Sequence, residues 1–340
     1  MVLPPFCRYV PWPDIGLSDN IMIDGSAKDY TVLTLSHWPK SGTPHDLKAD
    51  SSAEIVFNYI EQPGLHENVT VVTGDHFDED ACLGIFAMLE PEFALEHKHL
   101  ICDAAIAGDF TKGNNQQANR IAFTIGAFCN PVFSPLDKAI FKEPYDAMCG
   151  MLFKEILPRV RPIIEHTHAF EELWKGEDDF LNRTEQALSN GAIIIEEHPG
   201  ISFAVVTSKL DLRNKDDLAR GHDKPWHPIA IHNRTRCDRI LSISDSGIIF
   251  AYRYESWVQY ITLPPPPRID LHPLAETLTD LESGDTVWKS DSVENIFPRM
   301  VTLDNQPSSL HIDKIIAHFM EALATGKPAW DPFDKQILLG

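Results

Sequence analysis

The sequence predicts an α/β protein with a mostly parallel sheet and flanking helices, followed by a second α+β region. Strand-like and helix-like runs alternate between residues 30 and 110, at the spacing of β-α-β units with right-handed crossovers. A block with helical periodicity follows at about 112–190, and hairpins and short strands begin after it. We therefore expect one domain at 1–190 and a second at 191–340, which a chain of 340 residues can accommodate.

Local signals define the elements of the first domain. Ser51 and Glu54 form a capping box that starts a helix, and β-branched runs such as YTVLTL at 30–35 are typical of strands. Pro158 and Pro162 should break or kink the long apolar-periodic stretch into at least two helices. Strands are predicted at 30–35, 68–73 and 100–105, and helices at 51–60, 80–90, 114–128, 145–174 and 177–189.

The second domain is predicted to consist mainly of short strands. The segment His198-Pro199-Gly200 separates two apolar runs and indicates a hairpin. The four prolines at 264–267 should form a stiff extended stretch that ends the β region. Strands are predicted at 192–197, 201–207, 229–233, 239–243 and 248–261, and helices at 273–283 and 310–324.

Composition argues against several classes of function. The formal net charge of −21 disfavours an extended nucleic-acid surface, because phosphate backbones bind positively charged surfaces. The six cysteines form no C-x-x-C pair and the first residues lack the apolar core of a signal peptide, so we expect reduced thiols and a cytoplasmic protein. No apolar run is long enough to cross a membrane. The sequence also lacks a glycine-rich phosphate loop, so no motif points to an organic cofactor. The sequence leaves open whether the protein forms a homodimer.

The segment that follows the strand at 68–73 is rich in possible metal ligands, and we name residues 75–80 the acidic loop. Asp75, His76, Asp78 and Asp80 lie between the end of an apolar strand and the start of an apolar helix. Carboxylates and an imidazole this close repel one another unless a cation or protons intervene. Oxygen ligands with one imidazole suit Mn²⁺, Mg²⁺ or Fe²⁺ better than a structural zinc ion. The alternative is that one aspartate caps the helix and the other side chains are solvated.

The acidic loop resembles the first motif of the DHH (Asp-His-His) phosphoesterase superfamily. In that motif a strand leads to His/Asp-x-Asp-x-Asp, a small residue and a helix. His76, Asp78 and Asp80 match the ligand positions, and Ala81 and Gly84 take the small positions.

This resemblance implies binding of a pair of Mn²⁺ ions and hydrolysis of a phosphoester or phosphoanhydride. It also implies a further aspartate ligand at the end of the next strand, and Asp103 and Asp109 are both possible. The Asp-His-His triplet that gives the superfamily its name is missing from this sequence.

A second resemblance covers most of the chain. The segments SHWP, HFDEDA, AGDF, HPIAIHN and YRYESWV are similar to those of a family of uncharacterised bacterial proteins. This resemblance implies no particular chemistry.

Three further residues are candidates for catalysis or substrate contact. His37 follows one predicted strand as His76 follows another, so it would lie beside the acidic loop if the two strands are neighbours; otherwise it is a hydrogen-bonded histidine in a turn. His232 and Arg234 would share a face of the strand predicted at 229–233 and could bind an anion or form cross-strand ion pairs.

The hypothesis that joins these observations is a divalent-metal-dependent hydrolase acting on a small phosphorylated substrate. The metal ligands would be His76, Asp78 and Asp80, together with Asp103 or Asp109. The sequence leaves two alternatives open: a non-enzymatic relative that binds a metal or a nucleotide, and a scaffold whose acidic loop binds nothing.

Overall fold

The computed structural model describes residues 2–333 and has the α/β fold that the sequence predicts. These residues form two compact units, each with its own hydrophobic core. Among the described residues, unit 1 contains 2–179, 219–221 and 260–262, and unit 2 contains 180–218, 222–259 and 263–333. No described helix combines the length and the apolar character that crossing a bilayer requires.

Unit 1 is built on a four-stranded parallel sheet in the order β1-β4-β2-β3. Its elements in chain order are β1 (Arg8–Tyr9), β2 (Asn20–Ile23), β3 (Thr31–Leu35), α1 (Ser52–Ile60), β4 (Val71–Thr73), α2 (Glu79–Leu89), α3 (Pro91–Glu96), α4 (Lys98–Asp109), α5 (Gln116–Cys129) and α6 (Tyr145–Glu165). Every residue of β2 and β4 is buried, as expected for a parallel sheet covered on both faces. The carboxyl ends of these parallel strands lie along one edge of the sheet.

The prediction of a strand at 100–105 is wrong, because these residues belong to helix α4. Ala104, Ala105 and Ala107 are buried on this helix. A short apolar run is compatible with both a buried strand and a buried helix, so periodicity alone does not distinguish the two secondary structures. The short strands β1 and β2 were not predicted from the sequence.

Helix α6 continues without interruption through Pro158 and Pro162, so neither proline ends it. The stretch at 145–174 does contain two helices, as predicted, but the first ends at Glu165 rather than at a proline. Both prolines are exposed, and on the solvent side of a helix water can hydrate the carbonyl groups that lack a partner. The next α-helix, α7 (Glu171–Ser189), begins after α6 has ended.

Unit 2 contains a six-stranded mixed sheet in the order β10-β11-β8-β7-β6-β5, in which only β6 and β7 pair in parallel. A separate two-stranded sheet pairs β12 with β9. The elements are β5 (Ile193–His198), β6 (Phe203–Ser208), α8 (Lys215–Ala219), α9 (Pro228–His232), β7 (Arg239–Ser244), β8 (Gly247–Tyr252), β9 (Arg268–Ile269), α10 (His272–Leu281), β10 (Trp288–Ser290), β11 (Arg299–Thr302), α11 (Ile312–Thr325) and β12 (Pro328–Trp330). The predicted hairpin is confirmed as β5 and β6.

In this unit the strand prediction at 229–233 is wrong, and the one at 248–261 is right only up to Tyr252. Residues 229–233 begin within the short helix α9, where Pro228 occupies the first turn and Nδ1 of His227 accepts a hydrogen bond from the Ile229 amide at 3.2 Å. Proline in the first turn and a capping side chain are helix-start signals that outweigh the β-branched composition. The strand predicted at 248–261 ends at Tyr252 and is followed by a 3₁₀ turn.

Candidate metal centre

Three neighbouring strands of unit 1 deliver polar side chains to the same edge of the sheet. Asp24 follows β2 directly, His37 lies two residues after β3, and the acidic loop begins just after β4. Because β2 pairs with both β3 and β4, the side chains after the three strands converge. The carboxyl edge of an open α/β sheet is the usual place for a ligand site.

Asp24 lies at the centre of this cluster, and its side chain is only 1% exposed. Its Oδ1 accepts a hydrogen bond from Oγ of Ser52 at 2.7 Å and lies 3.4 Å from Nε2 of His37. Its Oδ2 lies 3.2 Å from Nε2 of His76 but makes no hydrogen bond of normal geometry with any described residue. The backbone of Asp24 has a φ of +48°, a left-handed conformation that costs about 1 kcal/mol or more and is concentrated at functional sites.

His37 is held in one tautomer by the backbone. Its Nδ1 lies 2.6 Å from the carbonyl oxygen of Asp50, and because a carbonyl only accepts, Nδ1 carries the proton. Its Nε2 therefore faces Oδ1 of Asp24 and Oδ2 of Asp109, each at 3.4 Å. A neutral imidazole would point its lone pair at two carboxylates, which is repulsive unless a cation lies between them. Histidine ligands of metals typically donate their other ring N–H to a carbonyl in this way.

Two more carboxylates complete the buried part of the cluster. Asp80 accepts hydrogen bonds from the backbone amides of Ser52 at 2.7 Å and Ala53 at 2.8 Å, so it lies at the N-terminus of α1. Asp109 lies at the end of α4, and its buried Oδ2 has no hydrogen-bond partner among the described residues.

The pKa values of these two carboxyl groups reflect their crowding. Burial raises the pKa of Asp80 well above its ordinary value, and the negative charges of Asp24 and Asp78 raise it further. Burial likewise raises the pKa of Asp109, and Asp80 is the strongest of the charges that add to this effect. A bound cation would lower both pKa values, because it favours the ionised forms.

The acidic loop forms the more accessible side of the cluster. Nε2 of His76 lies 2.9 Å from Oδ2 of Asp78, and Nδ1 lies 3.2 Å from Oδ1 of Asp75. The ring of His76 stacks on Trp38 with 4.9 Å between the ring centroids. Lys28 forms an ion pair with Asp75 at 3.0 Å.

The charges of the acidic loop shift one another's pKa values. Burial by itself lowers the pKa of His76, but Asp78, Asp24 and Asp75 outweigh it, and the net shift is strongly upward. Burial raises the pKa of Asp78, but the positive charge of His76 and their hydrogen bond outweigh it, and the net shift is downward. Oδ1 of Asp78 also accepts a hydrogen bond from the Ala81 amide at 2.8 Å. The capping and ligand interpretations of Asp78 are therefore compatible, because each uses a different oxygen.

The side chains form two groups that share Asp24 and that have the spacing of metal ligands. We name Asp24, His37 and Asp80 the inner set, and Asp24, His76 and Asp78 the outer set; within each set, one ligand atom from every residue lies within 4.8 Å of the others. Asp109 adjoins the inner set through its contact with His37. Carboxylate oxygens combined with one imidazole in each set fit Mn²⁺, Fe²⁺ or Mg²⁺.

The structure separates the two aspartates that the sequence left as alternatives. Asp109 adjoins the inner set, whereas Asp103 is half-buried and accepts a hydrogen bond from Nδ2 of Asn115 at 3.1 Å. Six residues on one helix are about 240° apart around its axis, so the two side chains point in different directions.

His232 and Arg234 belong to neither set. Both lie in unit 2, where His232 is the last residue of α9 and Arg234 forms an ion pair with Glu185 at 2.7 Å. The strand that would have placed them on one face is absent, as described above.

Sequence analysis missed two residues of this region. Asp24 follows a strand of only four residues, and the pattern Ile-Met-Ile-Asp-Gly was the available signal. Glu79 was not among the predicted site residues, but burial, assisted by the charge of Asp78, raises its pKa to about 7. Glycines on α4 and α5 make room for it: a Cβ at Gly108 would lie 2.4 Å from Cβ of Glu79, and one at Gly126 would lie 2.7 Å from its Oε1.

Comparison with known proteins yields a family without an assigned activity. No curated protein and no solved structure matches the chain. The resemblance of the acidic loop to the DHH superfamily is therefore not confirmed, whereas the wider resemblance to uncharacterised proteins is confirmed. Residues 6–332 match a single family over nearly the whole chain, and the protein belongs to this family, which is described as a family of unknown function (DUF6687).

Proposed function

We propose that this protein is a divalent-metal-dependent hydrolase of a small phosphoester or phosphoanhydride, with Mn²⁺ as the first candidate ion and Mg²⁺ or Fe²⁺ as alternatives. One observation carries the proposal: the buried Oδ2 atoms of Asp24 and Asp109 have no hydrogen-bond partner among the described residues, and each faces an imidazole nitrogen. Oδ2 of Asp109 lies 3.4 Å from Nε2 of His37, and Oδ2 of Asp24 lies 3.2 Å from Nε2 of His76.

The energetic argument for a cation is direct. An uncompensated buried charge costs several kcal/mol, and several carboxylates in one buried cluster add mutual repulsion to that cost. The inner set and Asp109 contribute three carboxyl groups and a single imidazole, so acids outnumber bases. A divalent cation would supply the missing positive charge and would also be a partner for the two unpaired oxygens.

The residues support hydrolytic chemistry in different ways. A divalent ion bound here would lower the pKa of a water ligand and stabilise negative charge on a phosphoryl oxygen. The carbonyl of Asp50 orients His37, and the side chain of Asp50 is itself fixed by the amides of Ile261 at 2.7 Å and Thr262 at 2.9 Å. The partly exposed residues His76 and Asp78 mark the side from which a substrate would approach.

The substrate class follows from charge and size. With a formal net charge of −21 the protein would repel a long polyanion, whereas a small phosphorylated molecule needs only local attraction. Besides the metal, Lys28 would offer such attraction on exchanging Asp75 for a phosphate, since its side chain is 34% exposed.

The test begins with chelator-treated protein. Metal content and thermal unfolding are measured after addition of Mn²⁺, Mg²⁺, Fe²⁺, Zn²⁺ or Ca²⁺, and the loaded protein is assayed against a panel of phosphomonoesters, phosphodiesters and phosphoanhydrides. Asp109→Asn is the test variant, and Asp103→Asn, the same change on the same helix, is its matched control.

We expect Mn²⁺ to stabilise the wild type and Asp103→Asn, to stabilise Asp109→Asn less, and to support turnover of at least one class of phosphorylated compound. Metal binding without turnover on the whole panel would refute the hydrolase and leave a metal-binding protein. Equal thermal shifts in the wild type and both variants would also refute the assignment of the metal centre.

A further inference from the structure

We propose that the inner set retains its ion while the outer set exchanges its ion with the solvent. The inference rests on the metal centre of the proposed function and adds an order and a lifetime to its occupancy. Three features of the structure lead to it: accessibility, rigidity and local charge.

Accessibility differs between the two sets. The side chains of Asp24 and His37 are 1% and 0% exposed, and Asp80 is fully buried. In the outer set His76 is 16% and Asp78 is 28% exposed. Water or a chelator must reach a ligand bond before the ion can leave, so an ion in the outer set can be solvated stepwise whereas one in the inner set cannot.

Rigidity also differs. Every inner ligand is held by a group outside the set: His37 by the carbonyl of Asp50, Asp80 by two amides of α1, and Asp24 by the hydroxyl of Ser52. Preorganised ligands lose little freedom on binding, which favours slow dissociation.

The outer ligands also have contacts outside their set, but in addition they are bonded to each other. Nε2 of His76 and Oδ2 of Asp78 lie 2.9 Å apart, and this contact must open before an ion can enter between them. Part of the binding energy is therefore used to break an existing interaction, which weakens retention of the outer ion.

Local charge acts in the same direction. Beside the outer set the neighbouring carboxylate, Asp75, is already compensated, because Lys28 pairs with it at 3.0 Å. The inner set adjoins a further carboxylate, Asp109, instead. The inner position is therefore the one with the greater electrostatic demand for a cation.

The experiment measures metal release from the full chain. Protein loaded with Mn²⁺ is freed of excess ion, mixed with EDTA, and its Mn²⁺ content is followed over time by mass spectrometry. We expect two equivalents that leave in separate phases, the second at least roughly tenfold more slowly, a ratio equal to a tenfold difference in Kd if the association rates are equal.

Two variants assign the phases. Asp78→Asn keeps an oxygen that can cap α2 and should remove only the fast equivalent. Asp109→Asn should release the slow equivalent faster or fail to bind it. Asp103→Asn should release both equivalents as the wild type does. Release of both equivalents in one phase, binding of a single equivalent, or loss of both in Asp78→Asn would overturn the inference.

The readout is metal content, so it is independent of hydrolysis. Two phases without turnover of any phosphorylated compound support this inference and refute the hydrolase. Turnover together with single-phase release supports the hydrolase and refutes this inference, and a failure to bind Mn²⁺ refutes both.

Discussion

Replacing Asp24 by asparagine tests the electrostatics of the cluster most directly, because Asp24 belongs to both sets. Asparagine retains an oxygen that can accept the hydrogen bond from Ser52 and tolerates the left-handed φ of +48°. The substitution therefore removes a charge with little change in shape. We expect the metal-free variant to be more stable than the metal-free wild type and to lose most of the stabilisation that Mn²⁺ provides.

The magnitude can be worked from the distances. Ligand atoms of Asp80 and of Asp78 each lie within 4.8 Å of one from Asp24, and each such pair of negative charges repels by about 3.5 kcal/mol or more at an effective dielectric constant of about 20. The attraction between Asp24 and a protonated His76 at 3.2 Å is about 5 kcal/mol on the same scale. With Asp78 and Asp80 both ionised, which requires a pH above the raised pKa of Asp80, the difference predicts a gain of about 2 kcal/mol in the free energy of unfolding of the metal-free protein.

The assay is urea unfolding of chelator-treated protein, with and without Mn²⁺, for the wild type, Asp24→Asn and Asp103→Asn. The control should match the wild type in both conditions, since Asp103 lies outside both sets. If Asp24→Asn were destabilised when metal-free, or stabilised by Mn²⁺ as strongly as the wild type, the assignment of Asp24 as the shared ligand would be refuted.

Two further predictions concern positions at which the structure gives a clear physical expectation. Burial raises the pKa of Asp238 from 3.8 to about 6, so the native state binds a proton more tightly than the unfolded state. The free energy of unfolding should therefore fall by about 3 kcal/mol as pH rises from about 4 to about 6. Asp238→Asn should abolish this fall and be the more stable protein at pH 7; an unchanged slope in urea titrations across this range would contradict the assignment. Gly108→Ala should destabilise the protein by about 1–3 kcal/mol, because the new Cβ would lie 2.4 Å from Cβ of Glu79, whereas Gly200→Ala meets nothing within 4 Å and serves as the control. Equal midpoints of thermal unfolding for the two alanine variants would show that Glu79 is not confined by this glycine.

Patterns that operate over a few residues were readable from the sequence. The capping box at Ser51 and Glu54 and the hairpin after residue 192 are local structures, and both are present. The acidic loop was identified because its residues are adjacent in the chain and follow an apolar strand. The α/β class followed from the alternation of such runs, which does not depend on how the elements finally pack.

The errors share a different cause. An apolar run at 100–105 is compatible with two secondary structures, and packing in unit 1 made it a helix. Because these residues form a helix, the side chains of Asp103 and Asp109 also point in different directions. His232 and Arg234 were expected to share a face of a predicted strand. Instead, a proline and a capping side chain start the helix α9 at this position.

The sequence by itself determined the α/β class and the position of the acidic loop, because each depends on residues close together in the chain. Only the tertiary structure brought Asp24 and His37 to the same sheet edge and placed Asp109 beside them. The physical reason is that strand order and helix packing, not separation along the chain, set the distance between these side chains. The unpaired carboxylate oxygens, which carry the proposed function, exist only because folding buries them together.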